Sequence, residues 1–379
     1  MRAVLDATAL GSGLGGDETM LRGLLRGVAL TAEPGDELRV LAAPDGDLPA
    51  ELVASPAASI TRVRRLPGPV HFGARLPWRL DRHDRDADVV FSVTHAPVRS
   101  PIPRALMVQD LSFHHRPDLY PRLTRLRLEH LVRRQVHEAG VIMTVSDFCR
   151  DDIIATYGLA PERVHTVPNT VSVPPPLEPE ARAAAEAWLA EQGVRAPFFL
   201  YLGNLHPRKN VATALRAFTR AKAIDPALAD HQFVVAGARW WGEGESAAAD
   251  AAPAGSVLLV GRVDDDVRQL LLDQAVALVY LSMFEGFGLP PLEAMAAGTP
   301  VLASTAAAIP EVTGGAAVLC DPLDLRGIAA ALSTIAADDT LRSDLVRRGH
   351  ERVAHYDPIR TGTCARRALL AASLEEIPA

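Results

Sequence analysis

The chain has 379 residues, 48% hydrophobic and 5% aromatic, with a formal net charge of −7, which is long for one core and comfortable for two filled mainly by Ala, Val and Leu. No apolar run approaches the roughly 18–20 residues needed to span a bilayer. Three widely spaced cysteines, Cys149, Cys320 and Cys364, argue against a disulfide framework or a zinc site and fit a reducing cytoplasm.

Taken in order, Met1-Arg-Ala-Val-Leu-Asp6 opens as a short strand rather than a signal peptide. The loop Gly11-Ser-Gly-Leu-Gly-Gly16 follows, then a predicted helix over 18–30 and a strand over 37–42. The loop lacks the G-x-G-x-x-G spacing of a dinucleotide fingerprint, so it predicts a tight turn or a close backbone approach and no more. Strands are predicted over 58–63, 88–93, 105–109 and 141–145, with an Arg-rich helix over 121–139 before the last. A helix over 147–157 with Ser146 as N-cap and a strand over 164–168 close the first unit. Residues 62–134 hold 15 Arg against 7 Asp or Glu. That excess suits anionic lipid headgroups or a phosphorylated acceptor, and equally a solvated surface. No zinc-ligand spacing or aromatic-rich RNA motif accompanies it, which argues against nucleic acid.

Val171-Ser-Val-Pro-Pro-Pro-Leu-Glu-Pro179 is the clearest break, because its prolines fit neither a helix interior nor a central strand. After it the alternation resumes: helix 180–192, strand 198–202, helix 211–223, strands 232–236 and 256–260, helix 265–274 and strand 277–281. Beyond come a helix opened by Pro290 and Pro291, strand 301–304, a short helix near 310–313, strand 317–319, and two or three final helices. Strands and helices alternating on both sides of a linker predict an α/β chain of two doubly wound parallel sheets. The expected division is 1–172, a linker over 173–179, and 180–357, with ligand in a crevice beyond the carboxyl ends of the strands.

Four turns at strand ends carry chemistry. Gly203-Asn-Leu-His-Pro-Arg-Lys-Asn210 puts Arg208 and Lys209 together before a helix, a pair suited to a diphosphate. Gly261-Arg-Val-Asp264 places Arg262 where a base pocket could form. Gln109 and Asp110 end a strand with His114 and His115 close behind, as acid, base or hydroxyl holder; the adjacent histidines diverge, so at most one joins a site. His95 follows the strand over 88–93. The fourth turn, Glu285-Gly-Phe-Gly-Leu289, lies between the carboxylates Glu285 and Glu293, which could grip hydroxyls on either side of a phosphate held by helix N–H groups. The plainer readings are a polar turn residue for Glu285 and a helix-dipole partner for Glu293. Trp240-Trp241 reads as core packing before a sugar platform. Neither H-x-x-x-H nor G-x-S-x-G occurs, so no metal and no serine hydrolase is implied.

Glu285-Gly-Phe-Gly-Leu-Pro-Pro-Leu-Glu293 resembles the E-x7-E signature of the retaining glycosyltransferases of family 4 (glycosyl transferases group 1), which have the GT-B fold. The resemblance extends to Ala297-Gly-Thr-Pro-Val301, Ile309-Pro-Glu-Val312, Gly203–Asn210, Asp110-Leu-Ser-Phe113, Thr144-Val-Ser-Asp-Phe148 and Pro161–Asn169, in order through both domains. It implies metal-free transfer of a mannose- or glucose-like sugar from a nucleoside diphosphate to a hydroxyl of a glycan, lipid-linked or small-molecule acceptor. By matched motif, Arg208 and Lys209 hold the diphosphate, Glu285 the sugar and Glu293 the ribose. Backbone N–H groups of Phe287, Gly288 and Leu289 receive oxygens, with Gly203 and Arg262 lining the donor side. Gly15 and Gly16 resemble the loop that reaches the donor phosphate, and His95 and His114 are candidates for the acceptor side. The resemblance also implies that a helix over 358–379 packs back on the first domain. Gln109 stands where many members have His, so a positioning role is expected of it, because Gln carries no proton at pH 7. Asn169-Thr170 also replaces the more usual Asn-Gly. Rival readings are a GT-B sugar-nucleotide epimerase or phosphorylase, or a binding subunit without turnover. Expected localisation is cytoplasmic, with peripheral contact at the membrane's inner face left open.

Overall fold

The computed structural model describes residues 1–13, 15–238 and 244–374. Two compact units emerge: Met1–Thr170 with the chain from Tyr356 onward, and Val171–His355. In the first, strands β1 (Arg2–Ala7), β2 (Glu37–Ala42), β3 (Ala58–Arg62), β4 (Val89–Val93), β5 (Arg104–Met107), β6 (Val141–Thr144) and β7 (Val164–Thr166) form one parallel sheet. Its order is β3-β2-β1-β4-β5-β6-β7. Helices α1 (Gly15–Leu30), α2 (Ala50–Val53), α3 (Gly68–Val70), α4 (Leu76–Arg82), α5 (Ser112–His115), α6 (Arg122–Glu138) and α7 (Asp147–Tyr157) connect the strands. The stretch Gly68–Arg82 is helical throughout, α3 running into α4 through a π turn at His71–Arg75. Sequence reading leaves it irregular because Gly68, Pro69, Gly73 and Pro77 punctuate it. Pro69 sits in the first turn, where a missing N–H breaks no bond, and the Phe72 carbonyl five residues before Pro77 accepts instead from the Val98 N–H at 2.9 Å.

In the second unit β8 (Phe198–Leu202), β9 (Gln232–Ala236), β10 (Val257–Gly261), β11 (Ala277–Tyr280), β12 (Val301–Ser304) and β13 (Val318–Cys320) are again all parallel, in the order β10-β9-β8-β11-β12-β13. Around them lie α8 (Pro179–Glu191), α9 (Val211–Ile224), α10 (Gly244–Asp250), α11 (Asp265–Gln274), α12 (Leu289–Ala296), α13 (Ile309–Thr313), α14 (Leu325–Ala337) and α15 (Asp339–Val353). The central β8 and β11 are buried on both faces and apolar throughout, as a helix-covered parallel sheet requires. The Pro-rich stretch 171–178 has no regular structure, and α8 begins on Pro179.

The last described helix, α16 (Pro358–Ser373), belongs to the first unit and packs along α1. The two meet at glycines: a Cβ on Gly362 would stand 2.0 Å from the Gly27 carbonyl oxygen. Arg366 of α16 donates to Asp36 at 3.0 Å and Glu33 at 2.7 Å, and the amino terminus donates to Asp36 at 2.9 Å. Met1 and α16 thereby share the Asp36 carboxylate.

Each sheet has one point where the strand order reverses, between β1 and β4 in the first and between β8 and β11 in the second. Loops leave such neighbouring strands in opposite directions and open a cleft at their carboxyl ends. Asp6 and His95 lie at the first switch point, and Gly203 and Glu285 follow the strands of the second.

Candidate active site

In the second unit, the turns after β8 and β11 are stitched into one structure. His206 opens a 3-10 turn, Pro207–Lys209, by accepting from the Arg208 N–H at 3.1 Å. Asn210 follows with φ 57°, and α9 starts at Val211. The Met283 N–H donates to the Arg208 carbonyl at 2.8 Å, and Arg208 Nη1 donates to the Phe284 carbonyl at 2.9 Å. The cations therefore face Glu285. Arg208 reaches Glu285 Oε2 at 2.7 Å, and Lys209 Nζ reaches Oε1 at 2.6 Å. Lys209 also donates to the Tyr280 hydroxyl at 2.6 Å.

Burial alone would push the Glu285 carboxyl up, but Arg208 and then Lys209 override it and hold the group down at about 2. Glu285 is thus an anion fully engaged by two cations, 5% exposed. Burial, reinforced by the Glu285 charge, pushes Tyr280 and its parallel neighbour Tyr201 well above the ordinary phenol range, so both hydroxyls stay protonated.

The turn then passes through Gly288, which has φ +100°, and a Cβ there would stand 2.6 Å from Ile309 Cδ1. The positive φ requires glycine, and a side chain there would also have to displace the Ile309 methyl. α12 begins at Leu289, with Pro290 and Pro291 in its first turn. An α-helix leaves its first N–H groups without intrahelical partners, and two of those positions here are prolines with none to offer. The donors that remain at the turn are the backbone groups of Gly288 and Leu289, beside Phe287, whose side chain is buried. Glu293 lies in the second turn of α12 rather than the first, so the helix dipole does not account for it. It accepts from Arg268 of α11 at 2.8 Å and is half-buried. Arg262 stands exposed after β10, and Asp264 caps α11 by accepting from the Val267 N–H at 2.9 Å.

In the first unit, β5 ends at Met107, which leaves Gln109 and Asp110 in the loop beyond it. Gln109 Nε2 donates to Asp17 Oδ1 of α1 at 2.8 Å. Asp110 Oδ1 accepts from Ser112 N–H at 2.9 Å and Oγ at 2.6 Å, an Asx turn that leads into α5. Gly15 and Gly16 are the first residues of α1, with open space where a Cβ would stand. Glu18 accepts from the Gly11 N–H at 3.0 Å and from the Gly13 N–H, so a carboxylate organises the glycine loop from inside. His95 bonds the Thr94 carbonyl at 2.7 Å, and Thr94 holds φ 62°, an unusual backbone state for a β-branched residue. His114 instead meets Glu129 of α6 at 3.1 Å, and His115 meets Asp152 at 2.7 Å with the rings at 90°.

The second unit thus brings Arg208, Lys209, Glu285, Phe287, Gly288 and Leu289 into one cluster, while Glu293 sits one helical turn further on. Gln109 and Gly15–Gly16 are joined through Asp17 in the first unit. Sequence reading missed Tyr280, whose one signal was a hydroxyl inside an apolar run, and missed Arg268, Asp17 and Glu18 as partners. Among the described residues no three His, Cys, Asp or Glu gather as metal ligands. Trp240 and Trp241 lie outside the described residues.

Residues 14–173 match the family model described as Glycosyltransferase Family 4, and residues 196–338 match that described as Glycosyl transferases group 1. The chain is similar to O-antigen chain mannosyltransferase B of Escherichia coli, 30% identical over 63% of this chain and 63% of that protein. It therefore spans less than two thirds of that relative's length. Among solved structures it is similar to sucrose-phosphate synthase from Thermosynechococcus elongatus, with TM-score 0.70 and 20% identity over 98% of this chain and 100% of that one. Anabaena Alr3699/HepE in complex with UDP-glucose gives TM-score 0.70 and 16% identity, covering 98% and 99%. At such identities the likeness speaks to the fold, which is GT-B.

Proposed function

Because the chain belongs to the family 4, group 1 glycosyltransferases, we propose that it transfers a hexose from a nucleoside diphosphate to an acceptor hydroxyl, retaining the anomeric configuration. The observation that carries this reading is the convergence of Arg208 and Lys209 on the buried Glu285, just before the glycine turn that opens α12. Two fixed cations suit a diphosphate, and a carboxylate between them suits the hydroxyls of the sugar it carries. A mannosyl donor is favoured by the E. coli relative's name.

In this reading Arg208 and Lys209 take the diphosphate oxygens, joined by the N–H groups of Phe287, Gly288 and Leu289. Glu285 accepts from sugar hydroxyls, and Glu293, steadied by Arg268, accepts from the ribose. Gly203 and Arg262 flank the nucleotide. The bond from the anomeric carbon to the diphosphate oxygen breaks, leaving positive charge on the sugar and negative charge on the leaving group. Fixed cations and N–H dipoles stabilise that negative charge without reorganising, each worth about 3 kcal/mol in such sites. The acceptor oxygen bonds the same face of the carbon, and its proton passes to the departing phosphate oxygen. No metal is needed, since the cations supply the positive charge. On the acceptor side, Gly15 and Gly16 allow close approach and Gln109 positions through its bond to Asp17. Asp110 lies beside Gln109 and His95 follows β4, while His114, engaged with Glu129, is the weakest of the acceptor candidates.

The test is incubation with a panel of nucleoside diphosphate hexoses in EDTA, with products read by mass spectrometry and NMR. Transfer or slow hydrolysis, abolished by Arg208→Ala, supports the reading. Formation of an epimer, or binding without turnover across donors and acceptors, overturns it.

A further inference from the structure

The outer face of α6 mixes exposed arginines with exposed leucines. At 100° per residue, the buried Val132 and Val136 fix one side of the helix against the sheet. Leu123, Arg127 and Arg134 stand opposite it and Arg122, Leu126 and Arg133 along one flank, all exposed, Leu123 to 82% and Leu126 to 48%. The rest of the outward half is Thr124, His130, Leu131, His137 and Glu138. The helix has two carboxylates. Glu129 turns to His114, and Glu138 pairs with Arg134 and with Arg104 of β5. Among the described residues, Arg122, Arg127 and Arg133 pair with no carboxylate. Only Val132 and Val136 of its seventeen residues are buried, and in the first two turns Leu128 packs on the core while Leu123 and Leu126 stay exposed.

We propose that this face docks the protein on an anionic lipid bilayer, with α6 lying in the plane of the headgroups. Guanidinium groups beside an anionic leaflet each strengthen binding about fivefold. Exposed leucines among them give the apolar contact that distinguishes an interfacial helix from a merely soluble basic one. A second copy of the chain is a poor occupant, since the face would meet its own positive charge. Nucleic acid is a poor one too, because leucines there would cover neither phosphate nor base edges. The inference is independent of the sugar-transfer reading, and its test uses no nucleotide.

The experiment is co-sedimentation of the full chain with phosphatidylcholine vesicles, with and without a quarter phosphatidylglycerol, at low and high salt. The expected result is binding to the anionic vesicles only, lost as salt screens the surface. Arg127→Glu with Arg133→Glu should weaken it at least about thirtyfold, from the contribution expected per charge. Leu123→Ser with Leu126→Ser should also weaken it while leaving the salt dependence in place. Both pairs are exposed, so the thermal midpoint should stay at the wild-type value. No binding to anionic vesicles, equal binding to neutral ones, or charge-reversed protein that binds like the wild type would overturn the proposal. Leucine variants that bind like the wild type, with heparin competing fully, would mean a general polyanion surface and overturn it as well.

Discussion

Glu285→Gln separates the two jobs of the Glu285 carboxylate, one structural and one chemical. The side chain is 5% exposed, and its oxygens lie 2.7 Å from Arg208 and 2.6 Å from Lys209, itself only 8% exposed. Gln keeps the shape and removes the charge, leaving two cations crowded in a buried turn. Breaking a buried ion pair on one side costs about 3–5 kcal/mol. For a unit of this size that corresponds to a fall in thermal midpoint of about 6–20 °C. A nucleoside diphosphate brings negative charge to the same cations, so it should stabilise the variant more than the wild type. Sugar transfer should nonetheless fall, by on the order of 100-fold, because the developing charge loses a fixed partner. The assay is differential scanning fluorimetry with UDP and GDP at matched saturation, followed by turnover. A variant as stable as the wild type would refute the argument, and so would a diphosphate that stabilises only the wild type.

Acid should find the same ion cluster. Glu285 is held at about 2 against an ordinary 4.5, so its contribution is present above the unfolded value and lost as pH falls from there through about 2. The amount is on the order of 3 kcal/mol; urea midpoints of wild type and Glu285→Gln should converge near pH 2, and parallel curves would contradict this. Glu293→Ala should weaken nucleotide binding about 10-fold or more by removing an acceptor for ribose hydroxyls, and unchanged affinity by calorimetry would remove the ribose role. Tyr280→Phe deletes one acceptor of Lys209 at a stability cost of about 1 kcal/mol; donor KM should rise several-fold, and an unmoved KM would make the hydroxyl purely structural. Gln109→His should change rate or donor selectivity, since a titratable ring would replace the amide bonded to Asp17; a variant kinetically identical to the wild type would end the positioning role.

Much of the fold is legible because parallel sheets write themselves plainly. Phe198–Leu202, Gln232–Ala236 and Ala277–Tyr280 are short apolar runs bounded by turns, and each is a buried strand. Ser146 and Gly158 bracket α7 as cap and left-handed stop, so its limits follow from local chemistry. The Gly68–Arg82 helical stretch is not legible, because proline and glycine punctuation outweighs a helix that tertiary packing of Leu76 and Leu80 supports. The site divides in the same way. Arg208, Lys209, Glu285 and the glycine turn sit in short motifs at strand ends. Their partners come from distant segments: Asp17 meets Gln109 across 92 positions, and Arg268 meets Glu293 across 25. Long-range contacts of that kind leave no local pattern, and only the folded sheet reveals them.

Hydrogen exchange with mass spectrometry, with and without a saturating nucleoside diphosphate sugar, tests most directly where the donor binds. The account predicts new protection in peptides covering 203–212 and 282–296, matching the two stitched turns after β8 and β11. Donor binding that leaves both segments unprotected and slows exchange elsewhere would contradict it.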